Sequence, residues 1–197
     1  MKKLVIAVLG VLLVAPAFAG QWGLGLKLGA GENDPQTLQD AFNAGGRKLD
    51  KNPGYLSIEG LYEWALEGEE NKLGFKFGLD MYGENELKLI TAKATETTYA
   101  IPLTLYYKRD NGVQTFSWFG GAGVTFINTT MEVTGESDVD KNKVFPHIVA
   151  GGEYRFTELF ALGLEARYNF SAKIKKDGNV LSDRSGFGAA LTGRFYF

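Results

Sequence analysis

The sequence predicts an all-β fold, an eight-stranded antiparallel up-and-down transmembrane β-barrel with short periplasmic turns and long extracellular loops. Three features of the 197 residues carry that expectation. Large apolar side chains alternate with small or charged ones along eight segments, the links between segments are short and long by turns, and the face opposite the apolar one carries charges of both signs. A period of two puts successive side chains on opposite faces of a strand.

Ahead of the strands, residues 1–19 read as an export signal removed before folding. Lys2 and Lys3 form a positive start, Leu4 to Val14 is an apolar run, and Ala17-Phe18-Ala19 is a small-x-small cleavage site before Gly20. That run falls short of the roughly 20 residues a helix needs to cross a bilayer. Residues 20–197 are then a single barrel domain.

The first strand sets Trp22, Leu24, Leu26 and Leu28 against Gly23, Gly25, Lys27 and Gly29. The second, Tyr55 to Leu66, opposes Leu56, Ile58, Tyr62, Trp64 and Leu66 to Ser57, Glu59 and Glu63. Lys72 to Tyr82 alternates without exception, with Leu73, Phe75, Phe77, Leu79 and Met81 facing away from Lys76 and Asp80. Thr98 to Lys108 places Tyr99, Ile101, Leu103, Leu105 and Tyr107 opposite Ala100, Pro102, Thr104 and Lys108. In the fifth strand Phe116, Trp118, Ala122, Val124 and Phe126 share a face, and Phe119 breaks the pattern on the other. The sixth opposes Ile148, Ala150, Tyr154 and Phe156 to His147, Glu153 and Arg155. The seventh opposes Phe160, Leu162, Leu164, Ala166 and Tyr168 to Glu165, Arg167 and Asn169, and the eighth opposes Phe187, Ala189, Leu191, Phe195 and Phe197 to Thr192, Arg194 and Tyr196.

Residues 67–71, 109–112 and 157–159 read as tight turns, whereas 30–54, 83–97, 129–143 and 171–185 read as long loops. Sorting links by end is a property of outer-membrane barrels. Within the first loop, Asp34-Pro35 and the residues to Ala44 read as a capped short helix. Asp177-Gly178 reads as a hairpin tip, extending the last two strands as a ribbon. Pro102 and Pro146 lie inside strands, where a missing donor calls for a bulge or a rim position.

The polar face decides between a membrane barrel and a soluble sandwich. Lys27, Glu59, Glu63, Lys76, Asp80, Glu153, Arg155, Glu165, Arg167 and Arg194 are too many charges for a sandwich core, but they suit the lumen of a narrow barrel. Neighbouring strands place Lys76 beside Glu59 or Glu63, and Arg194 beside Glu165 or Lys27. The outward aromatics sort by depth. Trp22, Trp64, Tyr107, Trp118 and Tyr154 fall near the short turns, and Tyr99 and Tyr168 near the long loops, as interface girdles do.

The sequence resembles the small outer-membrane β-barrel family, the broad group of outer-membrane protein A-type barrels, W-type porins and opacity-like proteins. The resemblance lies in Tyr99-Ala100-Ile101-Pro102-Leu103-Thr104-Leu105, in Phe145-Pro146-His147 leading to Gly151-Gly152-Glu153-Tyr154-Arg155-Phe156, in Ala161 to Tyr168, and in the terminal Phe195-Tyr196-Phe197. It covers essentially the mature chain and implies a bacterial outer-membrane location. It also implies that Phe195 and Phe197 form the signal read by the barrel-assembly machinery.

Chemistry-bearing motifs are sparse. There is one histidine and no cysteine, so no metal site, cofactor or catalytic set is expected, and His147 is read as a hydrogen-bonding lumen residue rather than a base. Without Lys2 and Lys3, 19 basic residues face 23 acidic ones, and no basic stripe suits a nucleic-acid partner. Lys173, Lys175 and Lys176, with Arg184, make the last loop basic and able to meet lipopolysaccharide phosphates. The expected role is a monomeric, non-enzymatic structural or surface-interaction barrel with a filled lumen. A narrow porin-like channel for small solutes or hydrophobic ligands is the alternative, and a lipid-modifying enzyme a distant one.

Overall fold

The computed structural model describes residues 20–31, 54–66, 70–88, 93–133, 139–176 and 179–197. The alternating segments form β1 (Gly20–Gly31), β2 (Gly54–Ala65), β3 (Asn71–Tyr82), β5 (Lys93–Arg109), β6 (Phe116–Val133), β7 (Val139–Arg155), β8 (Phe160–Asn169) and β11 (Gly186–Tyr196). Short β4 (Asn85–Lys88) continues the line of β3 along β5, while β9 (Lys173–Lys176) and β10 (Asn179–Asp183) pair only with each other. The order β3-β2-β1-β11-β8-β7-β6-β5 closes through β3–β5, so the eight long strands make a barrel in which every neighbour is antiparallel. Closure ends with Trp22 and Phe197 exchanging backbone hydrogen bonds at 3.2 and 2.9 Å.

Exposure is inverted relative to a soluble protein. Leu28 is 64% exposed and its neighbour Lys27 only 4%. That contrast recurs around the barrel, with Leu24, Leu164, Leu191 and Phe195 outward and Glu59, Glu153, Thr192 and Arg194 inward. Only a hydrocarbon surrounding makes such a surface favourable.

Of the residues expected at the interfaces, Trp22 and Trp64 flank Tyr62 with ring centroids at 4.8 and 5.9 Å, and Tyr107 meets Trp118 at 5.6 Å. Tyr154 packs on Phe156 at the same end. Tyr168 meets Phe170 and Phe187 at the other, where Tyr99 is also exposed.

Three strands run further than the alternation suggests. β5 begins at Lys93 rather than Thr98, β6 continues to Val133, and β7 begins at Val139 rather than His147. The added stretches carry Thr95, Glu96, Thr97, Asn128, Thr129 and Thr130, which are polar on both faces and give no hydrophobic period, although β-branched threonine suits a strand. β9 and β10 do not prolong β8 and β11 as a ribbon; they form a separate hairpin. The export signal, the short helix to Ala44 and the Asp177-Gly178 tip lie outside the described residues.

The prolines occupy positions where a missing donor costs little. Register is unchanged across Pro102, so there is no bulge; the β3–β5 ladder simply lacks pairs between Phe77–Leu103 and Asp80–Ala100. Pro146 sits one residue beyond the first β7–β8 pair, His147 with Asn169, so it is a rim residue there.

Inward glycines make room for inward tyrosines on the neighbouring strand. A Cβ at Gly74 would lie 2.3 Å from Cζ of Tyr106, whereas one at Gly31 would meet nothing closer than 3.7 Å. Gly74→Ala is therefore expected to destabilise the barrel by about 1–3 kcal/mol through overpacking, and Gly31→Ala to be neutral. Denaturant unfolding in lipid vesicles, followed by tryptophan fluorescence, reads both.

Candidate functional site

All ten charged residues expected in the lumen network are buried there, and the barrel joins to them five ionic residues that the sequence did not assign to that network: Lys72, Glu96, Lys108, Asp110 and Arg184. They form tiers from the periplasmic rim to the outer mouth.

The central tier is organised by Arg194 of β11. Its Nε donates to Glu59 of β2 at 2.7 Å, Nη1 to Glu153 of β7 at 2.8 Å and Nη2 to Glu165 of β8 at 3.3 Å. One guanidinium, whose donors lie in a fixed planar fork, thus joins three carboxylates from three strands. Lys27 of β1 adds contacts to Glu59 at 2.7 Å and Glu165 at 2.8 Å, and Lys76 of β3 also donates to Glu165. Lys108 of β5 reaches Glu63 at 3.1 Å and Glu153 at 2.5 Å.

Four carboxylates therefore stand among four cations. Phe119 of β6 fills the remaining wall, its ring centre 4.9 Å from both Lys76 Nζ and the Arg194 guanidinium carbon. The break in alternation at Phe119 is thus an aromatic packed against lumen charge. Tyr106 donates to Glu63 and Tyr196 to Glu153, each at 2.8 Å.

The expected neighbour pairings are corrected in part. Lys76 does not bind Glu59 or Glu63; its partner Glu165 lies across the tube. Arg194 does bind Glu165, but it repels Lys27 and takes Glu59 and Glu153 as well. An eight-stranded interior is narrow enough for opposite walls to touch, so cross-lumen contacts outnumber those along the ladder.

Above this tier, His147 is hydrogen-bonded at 2.9 Å on each ring nitrogen, to Thr104 through Nε2 and to Thr125 through Nδ1. Ser117 lies six ladder positions away along β6, since Gly123 rather than Ser117 faces His147. Among the described residues, no group of three His, Asp or Glu is placed to hold a metal. Arg167 donates to Asp80 at 2.8 Å and to Tyr82 at 3.1 Å. A cavity at this height amounts to about 10 Å³ between Lys27, Lys76, Thr104, His147, Glu165 and Arg167, space for one water at most.

At the periplasmic rim, Lys72 donates to Asp110 at 2.6 Å, and Arg155, stacked on Tyr196, lies 3.3 Å from the same carboxylate. At the outer mouth, Arg184 donates to Glu96 at 3.0 Å. Arg184 is buried, so it does not belong with the exposed loop lysines; Lys173 and Lys175 are exposed, and Lys173 lies 3.5 Å from Asp183. Nothing is described of the Lys176 side chain. Phe195 and Phe197 are exposed on the outward face of the closing strand.

The sequence matches the profile of the outer membrane protein beta-barrel domain over residues 4–195. The chain belongs to that family. This places the barrel in the bacterial outer membrane, with the long-loop end outward. Among solved structures, the barrel is similar to Ail, the attachment invasion locus protein of Yersinia pestis, in complex with the heparin analogue sucrose octasulfate. The TM-score is 0.56 at 14% identity, covering 90% of this chain and 99% of that one. Neisserial surface protein A gives 0.52 at 14% identity, covering 89% and 95%. OprG from Pseudomonas aeruginosa gives 0.52 at 12%, covering 91% and 97%. At these identities the likeness is one of fold. A comparison with curated protein sequences returns no significant match.

The rim ion pair of this barrel has a pH signature. Burial alone raises the pKa of Asp110, but the hydrogen bond from Lys72 and the charges of Lys108 and Arg155 outweigh it and hold the carboxyl well below the usual range. A carboxyl depressed on folding stabilises fully above its unfolded value, near 4, and loses that contribution as pH falls toward its folded value. Asp110→Asn should therefore be less stable than wild type at pH 7, with the gap narrowing steadily below about pH 4. Unfolding midpoints measured across pH 2.5–7 check this.

Proposed function

We propose that this protein is a non-enzymatic outer-membrane barrel with a side-chain-filled lumen, which anchors an extracellular surface and is not an open channel. One observation carries the reading. Four carboxylates and four cations form one connected network across the lumen, contributed by seven of the eight strands, with Phe119 from the eighth. Solutes could pass only by breaking these pairs, and each break leaves a buried charge without a partner. Both ring nitrogens of His147 are hydrogen-bonded, and among the described residues no nucleophile lies against it beyond the two threonine hydroxyls it already engages, which supports a structural role over hydrolysis.

The extracellular surface supplies the binding part of the reading. Lys173 and Lys175 are exposed on the outer hairpin, on the side of the membrane that carries the phosphates of lipopolysaccharide. The sulfated ligand held by Ail is of the same anionic class. Exposed lysines bind such groups as point charges, a contact screened by salt. The terminal Phe195 and Phe197 are assigned to recognition by the barrel-assembly machinery, and the barrel is assigned as a monomer.

Planar-bilayer recording of the mature chain tests the closed lumen. Wild type is expected to show only rare, small openings. Arg194→Ala should raise their frequency and also lower stability by about 3–5 kcal/mol, since three carboxylates lose a shared partner. A steady open conductance in wild type, or recordings of Arg194→Ala indistinguishable from it, would count against the proposal. For the surface, the double variant Lys173→Ala/Lys175→Ala should lose the salt-sensitive part of its association with lipopolysaccharide micelles while inserting normally.

A further inference from the structure

The outer mouth of the barrel is covered from within by the chain itself. After β8 the backbone turns inward at Ser171, whose φ is 51°, and it rejoins the wall at Gly186, whose φ is 124°. A positive φ is uncommon for a serine, so both ends of the 172–185 segment are sharp corners. Between them β9 and β10 form a two-stranded hairpin with no ladder to the barrel. Such a hairpin is marginal alone, so its position depends on its seat.

The seat has an apolar half and an ionic half. Ala172 and Ile174 are completely or almost completely buried against Ala100, Ile127 and Phe145, with Tyr82 packed beside them. These wall residues belong to the inner face of β5, β6 and β7, toward the long-loop end. Next to them Arg184 donates through Nη2 to Glu96 at 3.0 Å and to Thr98 at 2.9 Å, and its guanidinium lies 4.4 Å from the Tyr82 ring. Ser182 Oγ also reaches Glu96, at 3.5 Å, and is fully buried. Yet Nε and Nη1 of Arg184 are buried without a hydrogen-bond partner. The latch is therefore incompletely satisfied, which lowers what is lost when it opens.

We infer that the β9–β10 hairpin is a displaceable lid, hinged at Ser171 and Gly186 and latched by Arg184 on Glu96, that closes an outward-facing vestibule walled by Tyr82, Glu96, Thr98, Ile127 and Thr129. Below the vestibule, Arg167 with Asp80 and then the central ion tier still fill the tube, so lid opening exposes the wall around Glu96, Thr98 and Thr129 to the outside without creating a passage. The barrel wall, held by its own ladders, stays in place as the hairpin swings. The lid would thus present or hide this surface, an occluding device independent of whether the lumen conducts.

The absence of native cysteine allows a direct test on the full mature barrel in lipid vesicles. Ser182→Cys, on the lid, and Thr129→Cys, on the wall beneath it, are labelled with a membrane-impermeant maleimide, with Lys175→Cys as the exposed control. Both buried cysteines should react far more slowly than the control, and Arg184→Ala should speed both by about 10-fold or more, while heat-modifiable gel mobility stays that of a folded barrel and bilayer conductance does not rise. Should Arg184→Ala not fold, Glu96→Gln, which keeps shape and removes the charge, is expected to act in the same direction. Labelling of either buried cysteine at the control rate in otherwise wild-type protein would overturn the proposal, as would rates unmoved by loss of the latch. A conductance increase on loss of the latch would overturn it too. Steady conductance in wild type with a protected Ser182→Cys would instead sink only the closed-lumen reading.

Discussion

Hydrocarbon offers no partner to a backbone amide or carbonyl, and that single restriction shapes the rest of this molecule. A sheet can lie in lipid only if it has no free edge within the membrane. The exchange of hydrogen bonds between Trp22 and Phe197, and the β3–β5 pairing on the far side, remove both edges. Once the sheet closes, one face of every strand must meet lipid and the other must meet seven more strands across a narrow tube. The outward leucines and the inward ions are two consequences of the same closure.

Enclosing charge is costly, and the protein offsets the cost by sharing. Glu165 takes Lys27, Lys76 and Arg194; Glu153 takes Lys108, Arg194 and the Tyr196 hydroxyl. Each acid is held by groups from different strands, so the tier ties walls together that the ladders leave unconnected. A ring of hydrophobes could hold the walls as well or better in energetic terms. What the ions add is specificity: in a barrel with a period-two pattern, a strand slipped by one residue would put Lys27 or Arg194 into lipid.

Much of the fold was legible because alternation is a local signal. Leu28 beside Lys27 already states which face is which, and Phe119, the residue that broke the pattern, marks the place where an aromatic seals the central tier. The tops of β5, β6 and β7 were illegible for the same reason, since Thr95-Glu96-Thr97 and Asn128-Thr129-Thr130 have no apolar face to alternate. Lys108 was placed on the inner face by its spacing from Thr104, but its partners could not be read. The partner of Lys76 and two of the three partners of Arg194 lie on strands that do not pair with theirs, where strand stagger decides which heights coincide, and stagger is absent from the sequence. Arg184 looked like one more loop cation until a fold-back placed it against Glu96, a contact spanning 88 residues.

The uneven strand lengths give the barrel a slanted crown. β6 has 18 residues and β8 only 10, a difference of roughly 25 Å along the strand at ordinary rise, still the better part of that after tilt. Among the described residues, the ladders of the short flank stop first. The ladders of the tall flank continue past that height as paired sheet, so the crown carries a stiff wall on one side, and rotation of the molecule in the membrane plane decides which neighbours that wall faces.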